Sequence, residues 1–455
     1  MFEDTITALS TPNGVGAISL IRISGLQTFS IVDRVCKLNN NKKLKYLPTN
    51  TIHLGVIIDT KNQLVDKVLV YIYRSPYSYT GEDIIEISCH GSLYIVNTIL
   101  QLLVNQGARI AKPGEFTLRA FLNGKIDLSQ AEAVANLISS ESDVEHRIAI
   151  NQMKGIISNK INLICKKLLN LYSYIEINIS FSDELVIEKS NISKVIEEIE
   201  KDIEDLINSF NRGNSIKKGI AVAIVGAPNV GKSTLLNTIL QENRAIVSDI
   251  PGTTRDIIED YAIINGIRFR FIDTAGIRET SNKIEILGIE KTFEYIQKSN
   301  IIFYLFDSTN FKKEKIINQI NKLINNYPDK RLFILANKSD IAENIHFKER
   351  LPGYFINISA KKKKGIDKLI NLLCYPILQD ISNNQLILTQ VRHYEIFKKV
   401  LNYVKKIHKG MNTGISEDLL YLDIKKVFIY LEEITGKRHS EELLNNIFSN
   451  FCIGK

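Results

Sequence analysis

Two glycines, a lysine and a hydroxyl stand at fixed spacing in Gly226-Ala227-Pro228-Asn229-Val230-Gly231-Lys232-Ser233, the pattern of a phosphate-binding loop. The chemistry is electrostatic, because successive backbone N–H groups and the positive end of the helix that follows converge on one anion. On this reading Asn229, Val230, Gly231, Lys232, Ser233 and Thr234 contact a nucleotide, with Lys232 between the β- and γ-phosphates and Ser233 on a magnesium ion. Asn337-Lys338-Ser339-Asp340 offers a carboxylate that accepts from both N1–H and the exocyclic amine of guanine, a donor pair adenine lacks. Ser359-Ala360-Lys361 is the companion loop to the same base. Either segment is weak alone. Their order behind the phosphate loop selects guanine, with Asn337, Lys338, Asp340, Ser359, Ala360 and Lys361 as contacts. Asp273-Thr274-Ala275-Gly276 adds an acid behind the magnesium ion and a glycine N–H for the γ-phosphate.

The residue after Gly276 is Ile277, whose side chain cannot hydrogen-bond an attacking water, so hydrolysis draws on something else. One candidate is the Asn229 amide oxygen, which either ligates a monovalent cation or bonds its own loop backbone. The other is Ser248-Asp249-Ile250-Pro251-Gly252-Thr253-Thr254-Arg255-Asp256, whose carbonyls can complete the cation's shell. A potassium ion held there offsets charge in the transition state, and Thr254 completes the magnesium shell.

The elements that must hold these groups surround them. Ile220 to Val225 is an uninterrupted apolar run, the mark of a buried parallel strand, and a helical pattern opens at Ser233. Strand-like runs at Phe269–Ile272, Leu332–Ala336 and Tyr354–Ile358 put the remaining motifs at strand C-terminal ends, where open α/β sheets bind ligands. Upstream, β-branched runs such as Val68–Tyr73 mix with a helical stretch at Leu93–Gln106, an α+β pattern. The pattern turns helical from Ser129. Ile192, Val195, Ile199, Ile203, Leu206 and Phe210 recur at helical spacing, and Asn211-Arg212-Gly213-Asn214 predicts a stop. After Pro376 the helical pattern resumes, with Ser416 as N-cap, Leu420, Ile424, Val427, Phe428, Leu431 and Ile434 as the apolar stripe, and Gly436 as the stop. The expected fold is multidomain, α/β and α. An α+β domain fills 1–120, a helical domain is split between 121–215 and 379–455, and a P-loop domain, 216–378, is inserted between the two segments.

Composition agrees. The 455 residues suffice for several cores. Cys36, Cys89, Cys165, Cys374 and Cys452 are odd in number and lack metal-ligand spacing, which predicts a reducing compartment without zinc or a disulfide frame. No apolar stretch of about 18 residues occurs, and the N-terminus carries acids instead of a basic leader, so a cytoplasmic protein without membrane contact is expected. The net charge of +8 fits an anionic partner such as tRNA; equally, a chain this rich in Asn, Ile and Lys reflects an AT-rich genome. Lys361 to Lys364 reads as a solvated face.

Together, Gly-x-Pro-Asn-x-Gly-Lys-Ser, Asp-x-x-Gly-Thr-Thr-Arg-Asp and Asp-Thr-Ala-Gly resemble the potassium-activated GTPases, a group that includes Era, Der and the tRNA modification GTPases of the MnmE/TrmE family. The flanks are similar to the last of these: Asp4-Thr5-Ile6-Thr7-Ala8, Ile21-Arg22-Ile23-Ser24-Gly25, Tyr79-Thr80-Gly81-Glu82-Asp83, His90-Gly91, Lys112-Pro113-Gly114-Glu115-Phe116, Arg119 to Leu128, and the ending Phe451-Cys452-Ile453-Gly454-Lys455. The Era alternative, a ribosome-assembly switch, calls for a Gly-x-x-Gly loop after the GTPase, and none follows Pro376. A scaffold with a vestigial GTPase would not keep every phosphate, magnesium and base element.

The resemblance implies a Ras-like GTPase domain and an N-terminal domain that binds folate and forms a homodimer. It also implies tRNA and an FAD-dependent MnmG/GidA-type protein as partners, the latter in a heterotetramer. The activity would place a carboxymethylaminomethyl-type group on carbon 5 of a wobble uridine, using 5,10-methylene- or 5-formyl-tetrahydrofolate. The K+ ligands implied are Asn229, Ser248, Ile250 and Thr253, the Mg2+ ligands Ser233 and Thr254, and GTP contacts extend over Ser248, Asp249, Ile250, Pro251, Gly252, Thr253, Thr254, Asp273, Thr274, Ala275 and Gly276. Folate contacts implied are Arg22, Glu82, Lys125 and Lys455, though each also reads as a turn acid or surface base. Glu285 matches a catalytic glutamate that orients water, or is a helix N-terminal acid favoured by the dipole. Cys452 is either a nucleophile or base beside Lys455, or a buried apolar cysteine.

Overall fold

The computed structural model describes residues 3–39, 42–180, 189–242, 259–273, 294–342, 345, 353–382, 386–413 and 417–454. Ser248–Asp256, Thr274–Gly276, Ile277, Glu285, Ser416 and Lys455 lie outside them, as does the Asp273 side chain. The chain forms two compact units: Met1–Ile138 with Asn151–Ile192 and Lys406–Lys455, and Ser139–Ile150 with Ser193–Lys405.

In the first unit the strands are β1 (Ile6–Leu9), β2 (Ile18–Ser24), β3 (Cys36–Leu38), β4 (Thr51–Ile58), β5 (Leu64–Tyr73), β6 (Ile84–His90) and β7 (Arg109–Ile110). They pair in the order β3-β4-β5-β6-β2-β1-β7, antiparallel throughout except for β1 with β7. Alternation is clear on β5, where Val68, Val70 and Ile72 point inward while Lys67 and Leu69 are exposed. Ile31 and Val32 of helix Thr28–Val35, and Val96, Ile99 and Leu103 of helix Leu93–Asn105, cover that inner face. The predicted helix at 93–106 is therefore present, ending one residue earlier. Helix Glu417–Thr435 packs on helix Ile156–Ser180 and stops at Gly436, whose φ of +80° is the left-handed cap expected there. Leu128, Ala131, Leu444 and Phe448 form a small core beneath the chain's last helix, Glu441–Phe448.

The second unit holds β8 (Ile220–Gly226), β9 (Glu259–Ile264), β10 (Ile267–Asp273), β11 (Ile301–Asp307), β12 (Arg331–Asn337) and β13 (Tyr354–Asn357), in the order β13-β12-β11-β8-β10-β9. All pairs are parallel except β9 with β10. Ile220 through Val225 are all buried, as are Leu332 through Asn337, which explains their unbroken apolar runs: both faces of these strands are covered.

One boundary differs from expectation. Helix Lys189–Lys218 runs straight through Asn211–Asn214 and ends at Gly219, where φ is +80°. Gly213 serves close packing instead of termination: a Cβ there would stand 2.0 Å from the Leu388 carbonyl oxygen. The helical pattern expected after Pro376 is already under way there, since Pro376 lies inside helix Ile366–Ser382. Among the described residues no helix is long and apolar enough to cross a membrane.

Candidate functional site

The phosphate loop leaves the C-terminal end of β8, which pairs with β10 on one side and β11 on the other, so it sits where the strand order reverses. Helix Lys232–Glu242 opens immediately after it, and the Leu235 N–H bonds Gly231 O at 2.9 Å in the first turn. Gly226 is required by close approach, since a Cβ would stand 2.3 Å from Leu305 O. Asn229 and Gly231 take left-handed backbone with φ 63° and 97°, the conformations that turn successive N–H groups toward one point. Val230 is buried and anchors the loop, while Asn229, Ser233 and Thr234 are exposed around its mouth. Lys232 Nζ donates to Gly226 O at 2.9 Å and Ala227 O at 3.0 Å, which holds the ammonium over the loop.

The base loop is tied to this one by Asn337. Its Nδ2 donates to Val230 O at 2.8 Å and its Oδ1 accepts from Ala360 N at 3.0 Å, so one buried amide joins the phosphate loop, the end of β12 and the Ser359–Lys361 loop. Thr238 Oγ1, on the helix behind the phosphate loop, reaches Ala360 O at 2.9 Å and reinforces the same junction. Asp340 is exposed and lies beside Ser359; the hydrogen bond from that hydroxyl, then its own backbone N–H, hold its carboxyl below the usual range. A fixed anionic acceptor open to solvent is what pairing with a guanine edge needs. Lys361 is exposed, as are Lys362, Lys363 and Lys364, which matches the solvated face expected. Sequence reasoning placed Asn337 at the base and missed that it braces the phosphate loop.

Of the second set of expected residues, Arg22 meets the chain's tail, while Glu82 and Lys125 find other partners. Arg22 on β2 pairs with Glu86 on β6, Nε to Oε1 at 2.7 Å, and its NH1 reaches Gly454 O at 3.4 Å. Its guanidinium also lies 5.5 Å from the Tyr79 ring centre and 5.6 Å from that of Phe116. Gly454 is buried, with φ 91°, and a Cβ there would stand 2.2 Å from Leu9 O. Ser10 Oγ adds a 3.3 Å bond to Gly454 O, so the tail is held in place by β1 and Arg22. The Cys452 carbonyl accepts from Gly114 N at 3.3 Å while its side chain is exposed, which removes the reading of a core cysteine. The other four behave as core or half-buried groups: burial first, then Asp33, pushes Cys36 up to about 12, and burial takes Cys89, Cys165 and Cys374 to about 11. Lys125 lies with its stem against Gly81 and its Nζ 3.0 Å from Pro76 O.

Glu82 points inward. Its Oε2 accepts from Ser24 Oγ at 2.7 Å and from Arg119 NH1 at 3.2 Å. Arg119 is 0% exposed and also meets Asp4 at 2.8 Å and Glu115 at 3.2 Å, and Arg109 binds the same two acids. This network was not foreseen, although Glu115 and Arg119 stand at the i,i+4 spacing of a helical ion pair. Burial alone would raise the Glu115 carboxyl; the Arg109 hydrogen bond, the Lys112 N–H and the two arginine charges override it and hold it low.

Known proteins match this chain over its whole length. A family model described as GTP-binding protein TrmE N-terminus matches residues 5–125, and one described as MnmE helical domain matches 128–452. The tRNA modification GTPase MnmE of Flavobacterium johnsoniae is 50% identical, covering 100% of this chain and 99% of that protein. Its counterpart in Flavobacterium psychrophilum is 49% identical over 100% of both, and that of Bacteroides thetaiotaomicron 44% over 100% of both.

Proposed function

The chain belongs to the MnmE family of tRNA modification GTPases, and from that premise we propose that it is a potassium-activated GTP hydrolase acting in modification of the wobble uridine of tRNA. The observation that carries the nucleotide half of this reading is the Asn337 clamp, which makes the phosphate loop and the guanine-selective loop one rigid receptor. A receptor already held together does not reorganise on binding, so GTP contacts are spent on the substrate.

The donors present suit hard cations, which take oxygen ligands. Ser233, with Thr254, would hold Mg2+, whose charge neutralises the phosphates. Asn229, exposed on its left-handed backbone, would hold K+ together with Ser248, Ile250 and Thr253, adding positive charge where it develops in the transition state. In the hydrolysis step Lys232 binds the β- and γ-phosphates, backbone N–H groups of the loop and Gly276 orient them, and Glu285 positions the attacking water. Asp340 with Ser359 to Lys361 fixes the base.

The remaining activity is proposed from the family. A 5,10-methylene- or 5-formyl-tetrahydrofolate would be bound through Arg22, Glu82, Lys125 and Lys455. Cys452 would serve as the nucleophile or the base, toward the folate carbon or the uridine ring, during transfer to carbon 5. The chain works as a cytoplasmic homodimer, joined in a heterotetramer by an MnmG/GidA-type FAD protein, and the domains run 1–120, 121–215, 216–378 and 379–455. Two measurements test the proposal. GTP hydrolysis should rise strongly when K+ replaces Na+ and fall with Glu285→Ala at unchanged GTP affinity; equal rates in both salts would refute the cation role. Wobble-uridine modification in cells should disappear without this chain and with Cys452→Ser; normal modification in the Cys452→Ser strain returns that cysteine to a structural part.

A further inference from the structure

One of the expected guanine contacts, Lys338, is held in an ion pair by Asp307, a residue outside that set. Asp307 and Asn337 are register partners on the parallel strands β11 and β12, so the segments leaving the two strands run side by side. Ser308 donates its N–H and its Oγ to Asn337 O, at 2.9 and 2.6 Å. Thr309 donates its N–H and its Oγ1 to Asp307 Oδ1, at 2.9 and 2.6 Å, and so fixes the carboxylate. The remaining oxygen, Oδ2, then faces Lys338 Nζ at 2.5 Å. Lys338 has a φ of 68°, a backbone that costs an ordinary L-residue on the order of 1 kcal/mol and persists only where its surroundings hold it. The chain continues from there through buried Ser339, whose N–H bonds Ile358 O at 3.0 Å, to the exposed Asp340 carboxylate.

We infer that Asp307 is a positioning residue for guanine recognition: by holding the Lys338 ammonium against β11 it keeps the base loop in its left-handed turn and so aims Asp340. Asp307 acts through Lys338 and does not touch the nucleotide. The pair is only partly open to water, with 19% of the Asp307 side chain exposed and 36% of the Lys338 side chain, so screening weakens it less than a surface pair. Burial opposes the charge on Asp307, and the bonds from Lys338 and Thr309 override it and hold the carboxyl below its usual range. The Asp307 carboxylate therefore stays ionised throughout the neutral range.

This rests on the proposed guanine-nucleotide reading, and the test separates the two. The full-length chain is first titrated with a fluorescent GDP analogue, with unlabelled GDP and ADP as competitors. A parent that prefers ADP, or binds neither, overturns the guanine reading and this inference with it. With a parent that prefers GDP, Asp307→Asn should weaken GDP and GTP alike by about tenfold, mainly through faster release, and raise KM for GTP by a similar factor. At saturating GTP its kcat should stay within about twofold, since the phosphate and water groups are untouched. Asp307→Glu should recover most of the affinity, and the Asn substitution should have little further effect in a Lys338→Met background. Unchanged GDP affinity in folded Asp307→Asn, or a loss fully additive with that of Lys338→Met, overturns the inference. Should Asp307→Asn fail to fold, Thr309→Val reads the same contact by removing one of the donors that fix the carboxylate. About threefold weaker GDP binding is expected from it, and unchanged binding overturns the inference.

Discussion

At the nucleotide loop the Asn337 amide ties together main-chain atoms of Val230 and Ala360 beside the left-handed turns of Asn229 and Gly231, whereas at the tail Arg22 meets Glu86, Tyr79, Phe116 and Gly454 with a side chain from a separate strand. The first site is a set of backbone turns, specified by glycines and by one amide. The second is a convergence of side chains that exists only after a sheet, a helix and the chain's end have met. Beneath it lies a third material, the buried Arg119 network, where charge performs the holding that backbone performs in the phosphate loop.

That contrast is broken most severely at Arg119. Replacing it by Met leaves Glu82, Glu115 and Asp4 short of their shared cation, and removing one member of a buried ionic cluster costs about 3–5 kcal/mol. Chemical denaturation of the full chain should report this loss, and a destabilisation under about 1 kcal/mol would mean that the acids find other partners. The same network predicts acid sensitivity. The Glu115 carboxyl is held below its ordinary 4.5 in the folded chain, so its contribution is complete above that pH and lost as pH falls through the lowered value. Arg119→Met should weaken this acid limb of the stability curve only in part, because the Arg109 hydrogen bond and charge and the Lys112 N–H remain on Glu115, whereas Asp340→Asn, which alters an exposed carboxylate, should leave it in place.

Gly231→Ala attacks the backbone-built side of the comparison. With φ 97° and Asn337 Nδ2 only 2.3 Å from the added Cβ, the substitution both strains the loop and displaces the clamp. GDP affinity should fall by about a hundredfold while the thermal midpoint moves little, because the strands on either side keep their packing. Isothermal titration decides it. If affinity falls by less than about threefold, the clamp is not what preorganises the receptor.

How much of this could be read from the chain follows from the same division. Gly226 to Ser233 and Asn337 to Asp340 are each contiguous, and their residue types follow backbone geometry, so type and order carried their location at the strand ends. The strands around them were legible because Ile220–Val225 and Leu332–Ala336 are covered on both faces. At the tail, Arg22 and Gly454 are separated by 432 positions, and no local pattern announces their meeting; only family resemblance pointed there. Gly213 misled for a related reason. A glycine after a helical stripe reads as a stop, but this one exists for a distant neighbour, Leu388, that the local sequence does not contain. The inward turn of Glu82 escaped likewise, since its partners Ser24 and Arg119 come from a strand and a helix well apart in sequence.

A milder test of the side-chain-built site is Gly454→Ala. Gly454 is buried at φ 91° with Leu9 O 2.2 Å from any added Cβ, so the substitution must push the last residues off β1 and away from Arg22. Tetrahydrofolate binding, followed by equilibrium dialysis, should weaken by about tenfold, and GTP hydrolysis should be unaffected. Full folate affinity in this variant would mean that Arg22 and the tail act independently.

The smallest effect is expected where the two construction principles meet inside the GTPase unit, at Thr238. Its Oγ1 lies 2.8 Å from Thr234 O, within its own helix, and 2.9 Å from Ala360 O, so one hydroxyl hydrogen serves both carbonyls. Thr238→Val keeps the shape and the β-branch while removing the donor, leaving Ala360 O without that bond in a buried place. A single hydrogen bond of this kind contributes about 1 kcal/mol. Because Ala360 N remains bonded to Asn337 Oδ1 at 3.0 Å, the loop loses a brace and keeps its anchor. GDP affinity should drop about twofold to threefold, against about a hundredfold for Gly231→Ala, and the ratio between the two is the informative quantity. Comparable losses in both variants would place the rigidity of the receptor in its side-chain braces and not in the backbone turns, reversing the contrast drawn between the nucleotide loop and the tail.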